Sequence, residues 1–278
     1  MKKSLPRYIV LIFFSLFILI PIIYTIMNSF MSANEINRYY SLMNESGVKT
    51  MFHIFPDDFS FEGYYNMLLR QPDYLMKFWN SLILTGSIVI GQVIISSLGG
   101  YAFAKFEFPM KNGIFFLLII LMMMPYQVTL VSNYIILDKL HLIGSMWAVI
   151  FPGIFSPFGV FLMKQVIATI PTELLEAARL DGASELQVLF RVVIPRAKSG
   201  VVSLVILSFI DNWNMVEQPL VFLKDTRQYP LSIFLAQNYS QNMSLSFACG
   251  VLAMIPVLLL FVFFEQELIE GISFSNLK

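Results

Sequence analysis

EAARLDGASELQVLFRVVIP, from Glu176 to Pro195, places charge and turn signals between two long apolar runs, and its reading decides the fold. Just upstream, Pro171 fits the first position of a helix and Glu173 complements that helix's positive end. Glu176, Ala177 and Ala178 continue the helix until Gly182 offers a C-terminal stop. Ser184 then opens a second helix: its spacing to Gln187 matches a capping box, Leu186, Leu189 and Phe190 follow, and Pro195 closes the segment. The expected product is a compact helix-turn-helix. Two adjacent alanines let its backbone approach another surface closely, and Glu176 beside them can pair with a cation, so the shape suits a knob that enters a socket. An amphipathic loop lying on a membrane surface is the alternative the residues leave open. Reading of DNA by this motif fits worse, because apolar runs tether both ends and no basic cluster accompanies it.

Those flanking runs belong to a chain of 278 residues that is 57% hydrophobic and 13% charged, with 27 Phe and 16 Met, more apolar mass than a soluble core of this size uses. A bilayer core takes roughly 20 mostly apolar helical residues. Windows at 8–30, 82–103, 114–137, 143–163, 201–223 and 247–264 qualify, so the expected fold is an all-α membrane protein with six transmembrane helices. The fifth window is the least apolar, because DNWN at 211–214 interrupts it. Lys2, Lys3 and Arg7 precede the first run as in a secretory signal. That run is too long for a signal core and no small-residue cleavage site follows, so it reads as an uncleaved first span. With the N-terminus cytoplasmic, the inner side receives eleven of the 18 Lys and Arg, Lys105, Lys111, Lys164, Arg179 and Arg191 among them, and the outer side seven. This positive-inside excess places both termini and the Glu176 loop in the cytoplasm.

Acidic and basic residues balance at 18 each, which gives no reason to expect nucleic acid as a partner. His53 and His141 stand apart in sequence and Cys249 is the single cysteine, so no metal site, His-based catalytic arrangement or intramolecular disulfide is expected. The first outer loop, 31–77, has aromatics, acids, Pro56 and Pro72; a small folded cap and a partly ordered surface loop both fit it. Pro125, Pro152, Pro157 and Pro256 fall in or beside spans, where proline kinks helices in static bundles as well as moving ones, and they carry little functional weight.

Polar side chains inside a span are costly and normally face a cavity or the bundle interior. The fifth span holds Asp211, Asn212, Trp213, Asn214, Glu217 and Gln218. On one continuous helix Asp211, Asn214 and Gln218 share a face, and Trp213 and Glu217 pair one turn apart. Counting from Ser199, Asp211 lies roughly 18 Å into the membrane, past the middle. An aromatic face with amide and carboxylate acceptors matches the CH surfaces and hydroxyls of a sugar; helix-to-helix bonding, or an early exit of the span, is the competing reading. After this span the outer segment 224–246 carries Tyr229, Gln237, Asn238 and Tyr239, either as a loop that reaches an external partner or as an interfacial helix over 231–236 with an amide-rich end.

The spacing Glu176-Ala177-Ala178, then Gly182, Val192 and Ile194-Pro195 resembles the signature loop of binding-protein-dependent ABC importer permeases. The five identities among them, Glu176, Ala177, Ala178, Gly182 and Pro195, arise by chance on the order of once per million start sites. Trp213-Asn214, the Tyr229-Pro230-Leu231 step and the closing EGI at 270–272 resemble the carbohydrate-transporting, maltose-type branch. The resemblance covers roughly 77–272. Two departures stand out: Val192 and Ile194 replace the usual Ile and Leu, and the tail SFSNLK lacks that branch's Gly-rich ending, which puts any tail contact in doubt.

What the resemblance implies is a type I permease fold: a first span at 1–30, an extracytoplasmic cap at 31–77, a core at 78–272 and a tail at 273–278. The cytoplasmic coupling loop would occupy 166–200, with Glu176, Ala177, Ala178, Asp181, Gly182, Ala183 and Pro195 as the ATPase-coupling residues. The implied partners are a second related permease, two ATPase subunits, an extracytoplasmic solute-binding protein touching Tyr229, Gln237, Asn238 and Tyr239, and membrane lipid, with no nucleic acid. No Walker A sequence is present, so the chain is expected to bind no cofactor and catalyse nothing itself, ATP and Mg being held by the ATPase subunits. The implied setting is a bacterial cytoplasmic membrane and the implied cargo a sugar or oligosaccharide. A non-sugar solute such as a glycerol phosphodiester or polyol is the alternative within the family, and a channel, a secondary transporter or a membrane-embedded enzyme are the alternatives outside it.

Overall fold

In hydrocarbon every backbone N–H and C=O must be satisfied within its own segment, so apolar runs of this length are expected to coil. The computed structural model describes residues 5–40, 53–70, 72–238 and 243–273, and among these every regular element is helical. The helices are α1 (Leu5–Asn28), α2 (Ala33–Tyr40), α3 (Glu62–Tyr65), α4 (Pro72–Lys105), α5 (Lys111–Met123), α6 (Tyr126–Lys139), α7 (Trp147–Ile154) and α8 (Pro157–Ala168). There follow α9 (Thr172–Leu180), α10 (Glu185–Val188), α11 (Ile194–Arg196), α12 (Lys198–Trp213), α13 (Glu217–Phe222), α14 (Leu231–Asn238) and α15 (Met243–Ser273). The tail at 274–278 and Tyr239 lie outside the described residues.

Among the described residues four stretches are long and apolar enough to cross a membrane: Arg7–Asn28, Asp73–Lys105, Trp147–Ala168 and Met243–Glu267. Two bent pairs, Lys111–Met123 with Tyr126–Lys139 and Glu185–Arg196 with Lys198–Trp213, bring the number to six if each pair is one span. The expected third span is not one straight helix. Pro125 cannot donate to the preceding turn, Met124 turns to extended backbone, and α5 and α6 meet at 103°. The expected fifth span is also shorter than its window. It ends at Trp213, where Asn212 and Asn214 each turn a side-chain amide back onto a carbonyl four residues earlier, Ser208 O at 2.7 Å and Ile210 O at 2.8 Å. Both amides are thereby spent on the helix's own backbone at its C-terminal end.

The chain divides into two compact units. One comprises residues 1–78 and 233–255. There Met31, Ile36 and Phe247 form a small core, and Phe30 packs among Phe59, Phe61 and Tyr64, so the described part of the first loop is folded. The other unit comprises 79–232 and 256–278. Its spans approach closely: a Cβ added at Gly100 of α4 would sit 2.6 Å from Met163 Cβ and 2.8 Å from the Lys164 backbone nitrogen of α8. Small residues permit such contact between membrane helices. Asn80 of α4 donates to the carbonyls of Arg227 and Tyr229, and Ser81 Oγ accepts from Leu231 N–H, which pins the segment after α13.

Candidate functional site

The Glu176 segment forms as its residues dictate, with small shifts. α9 begins at Thr172, which makes Pro171 the residue before the helix rather than its first. Gly182 adopts φ +85°, the Gly182 N–H donates to Arg179 O at 3.0 Å and the Ala183 N–H to Ala178 O at 3.0 Å. Together these bonds make a Schellman closure. Ser184 and Gln187 complete the capping box, Ser184 N–H reaching Gln187 Oε1 at 2.8 Å and Gln187 N–H reaching Ser184 Oγ at 3.4 Å. Helical backbone continues one residue beyond Pro195, through a widened turn at Leu189–Val193 that accommodates the missing proline N–H.

This motif is fastened to the spans. Leu175, Val188, Leu189 and Val193 are fully buried with Tyr101 of α4 and Met163 and Ile167 of α8, each worth about 1.5–3 kcal/mol relative to exposure in water. Lys105 at the end of α4 donates its ammonium to the Ile170 carbonyl. Glu185 joins three elements: Arg179 Nε donates to its Oε1 at 2.8 Å, and the Tyr101 hydroxyl donates to its Oε2 at 2.8 Å. The Arg179 guanidinium first, and Tyr101 second, hold the Glu185 carboxyl below the usual carboxylate range. Glu176, Ala177, Asp181 and Gly182 are exposed, whereas Ala178 and Ala183 are half-buried against the core. Sequence reasoning missed two things here. Leu180 is 89% exposed and Leu186 and Phe190 are also largely exposed, an apolar surface beside the expected contact residues. The lock between Tyr101, Arg179 and Glu185 was hidden because Tyr101 lies more than seventy residues upstream of its partners.

The polar residues of the fifth span do not stay together. Trp213 is buried and stacked on Phe209, ring centroids 5.3 Å apart, so that ring face packs inside the chain. Glu217 and Gln218 belong to α13, and Glu217 accepts from Gln127 of α6 at 3.0 and 3.1 Å; the shared face expected of one continuous helix is therefore broken. Asp211 is exposed and lines a cavity of about 290 Å³ with Gln92, Ser156, Phe158, Leu207 and Ser208. Pro157 leaves the Gly153 carbonyl without its helical donor, and the Gln92 amide supplies one at 2.7 Å. The prolines dismissed from the sequence thus open two helices, one of them beside this cavity. Tyr229 packs partly against the core of its unit, Gln237 is exposed in the last turn of α14, and Asn238 ends that helix. His53, expected to stand alone, lies beside Glu35 and Asp57.

Residues 92–270, which contain both the loop and the cavity, match the family described as "Binding-protein-dependent transport system inner membrane component". The chain is 31% identical to the arabinooligosaccharides transport system permease protein AraQ of Bacillus subtilis, over 95% of this chain and 92% of that protein. It is 25% identical to the sn-glycerol-3-phosphate transport system permease protein UgpE of Brucella abortus (strain 2308), over 97% and 96%. Its fold is shared with a chain of a bacterial ABC transporter involved in the import of the acidic polysaccharide alginate, TM-score 0.80 at 22% identity, covering 95% of this chain and 96% of that one. Several apolar helices, a doubly capped loop rooted in them and a match across 92–270 converge on one conclusion: the chain belongs to the binding-protein-dependent transport system inner membrane components, as a multi-pass permease.

Proposed function

We propose that the chain is one permease subunit of an ATP-driven importer for a sugar or oligosaccharide, set in a bacterial cytoplasmic membrane with both termini in the cytoplasm. It pairs with a second, related permease and with two ATPase subunits, and receives its cargo from an extracytoplasmic binding protein. The observation that carries the reading is the loop: a motif closed at both turns, fastened to α4 and α8 by buried side chains, and presenting Glu176, Ala177, Asp181, Gly182 and Leu180 outward. Such an element moves as a rigid body with its spans, which is what transmission of a partner's ATP-driven motion requires. Nucleotide chemistry then belongs to the ATPase subunits, and this chain is the pathway rather than the catalyst. Crosslinking of Leu180→Cys to a cysteine-bearing ATPase subunit tests the docking. Efficient crosslinking that responds to nucleotide is expected, and none under turnover overturns the reading.

The cavity supports a neutral, hydroxyl-rich cargo. Asp211, Gln92, Ser156 and Ser208 offer carboxylate, amide and hydroxyl groups beside the Phe158 ring, at the small end of the range of about 300–1,000 Å³ found for ligand pockets. Arabinooligosaccharides are the cargo named for AraQ, and sn-glycerol-3-phosphate that for UgpE. The lining contains a carboxyl group and no cation, an arrangement unfavourable for a phosphate and suited to sugar hydroxyls. Uptake that survives Asp211→Ala unchanged, with substrate-stimulated ATPase activity intact, would remove Asp211 from the pathway; a transporter selective for a phosphorylated glycerol would favour the second cargo.

A further inference from the structure

The segment between α1 and α4 holds a group of side chains outside both the loop and the cavity described above. Glu35 lies on α2, and His53 and Asp57 lie on the chain ahead of α3. His53 Nε2 stands 3.2 Å from Asp57 Oδ1 and 3.9 Å from Glu35 Oε1, and one ligand atom from each residue falls within 4.8 Å of the others. Ligands held about 2.1 Å from a single ion stand roughly 3.0–3.5 Å apart, so these positions need only small adjustment to share one.

Three further features separate this trio from an exposed acidic patch. Glu35 is only 7% exposed, although a carboxylate is expensive to bury without a counter-charge. The His53 side chain is 28% exposed, but its Nε2 atom is shut off from solvent and makes no hydrogen bond, although Asp57 Oδ1 lies 3.2 Å away. The ligands are also held in place. The His53 ring stacks on Tyr39 with centroids 4.1 Å apart and planes at 10°, the Tyr39 hydroxyl donates to Asp57 Oδ2 at 2.8 Å, and the Asp57 N–H donates to Glu35 Oε1 at 2.7 Å. Ile36, next to Glu35 on α2, is buried in the core of this unit. Outer bonds of this kind fix the orientation of metal ligands.

We propose that Glu35, His53 and Asp57 form a binding site for a divalent transition-metal ion of the zinc type. Two carboxylates bring the local charge to minus two when ionised, and a divalent ion restores neutrality. The imidazole selects against magnesium and calcium, which take oxygen ligands. Three protein ligands leave coordination positions for water. Bound metal would tie α2 to the chain ahead of α3 and stiffen this part of the first unit. The site does not depend on which solute the protein carries.

The test uses the complete transporter, purified with its partner subunits and stripped with chelator. Zn²⁺ uptake is measured by equilibrium dialysis with elemental analysis for wild type, His53→Ala and Asp57→Asn, each checked for assembly by size-exclusion chromatography. The expected result is one Zn²⁺ more per copy of this chain in wild type than in either variant, with affinity at that site reduced at least tenfold by Asp57→Asn. A thermal midpoint raised by Zn²⁺ in wild type alone is the second expected readout. If His53→Ala does not assemble, Asp57→Asn decides, because its side chain is half exposed and near-isosteric. Equal Zn²⁺ content in wild type and Asp57→Asn overturns the proposal. So does a wild-type midpoint that Zn²⁺ leaves unchanged, which assigns the trio to an ordinary histidine–carboxylate contact.

Discussion

Gly182 ends α9 at φ +85°, and the closure it makes controls how firmly the loop is held. An added Cβ there meets nothing within 4 Å, so substitution is opposed by backbone conformation alone and not by packing. The left-handed region costs an L-residue about 1–2 kcal/mol, Asn least among non-glycine residues and β-branched residues most. The Schellman bonds open together, so Gly182→Ala should reduce the free energy of local opening by about 1–2 kcal/mol, and amide exchange at residue 182 and Ala183 should quicken about five- to thirty-fold. Gly182→Val should exceed that, and Gly182→Asn should stay within a few-fold of wild type. Hydrogen exchange by mass spectrometry on the reconstituted transporter, in the absence of nucleotide, reads these amides. Buried Leu175, Val188, Leu189 and Val193 keep the rest of the loop seated, so fast exchange should stop before Val188. Ala exchanging as slowly as Gly, or Asn as fast as Val, would refute the assignment of the closure to the left-handed backbone.

Glu185 makes a pH-dependent contribution whose sign follows from its lowered pKa: it is complete above the ordinary carboxylate value of 4.5 and is lost as pH falls through the lower folded value. The difference in thermal midpoint between wild type and Glu185→Gln should therefore hold steady near neutral pH and shrink only below about pH 4.5. Gly100→Ala forces a methyl into the backbone of α8, where Lys164 N would lie 2.8 Å away, and should cost about 1–3 kcal/mol as a lowered thermal midpoint of the assembled transporter. Asn80→Ala removes the side-chain amide that donates to the Arg227 and Tyr229 carbonyls, a cost of about 1–3 kcal/mol, and trypsin should then cut at Lys224 and Arg227 several-fold faster.

What the sequence disclosed follows from the range of the forces involved. The caps of the Glu176 loop depend on residues within five positions of one another, Gly182 for the left-handed turn and Ser184 with Gln187 for the capping box, so spacing alone locates them. Four spans are equally plain, because length and apolarity are properties of a single run. The break after Trp213 was less legible: Asn212 and Asn214 read as polar groups that a ligand might want, and only the folded backbone spends both amides on the carbonyls of Ser208 and Ile210. Asp211, which has no such local outlet, is the member of that cluster left facing a cavity. Gln92 shows why proline deserved more weight. Pro157 creates an acceptor at Gly153, and a buried amide sixty-one positions earlier answers it beside the same cavity, a pairing no periodicity encodes. Glu35, His53 and Asp57 follow the same logic, since eighteen residues separate the first two and only the fold brings their ligand atoms together. In this chain, then, the elements set by neighbouring residues belong to the Glu176 loop. The Asp211 cavity is set by contacts between helices, and its lining is identified by asking where each freed carbonyl and each unspent carboxylate finds its partner.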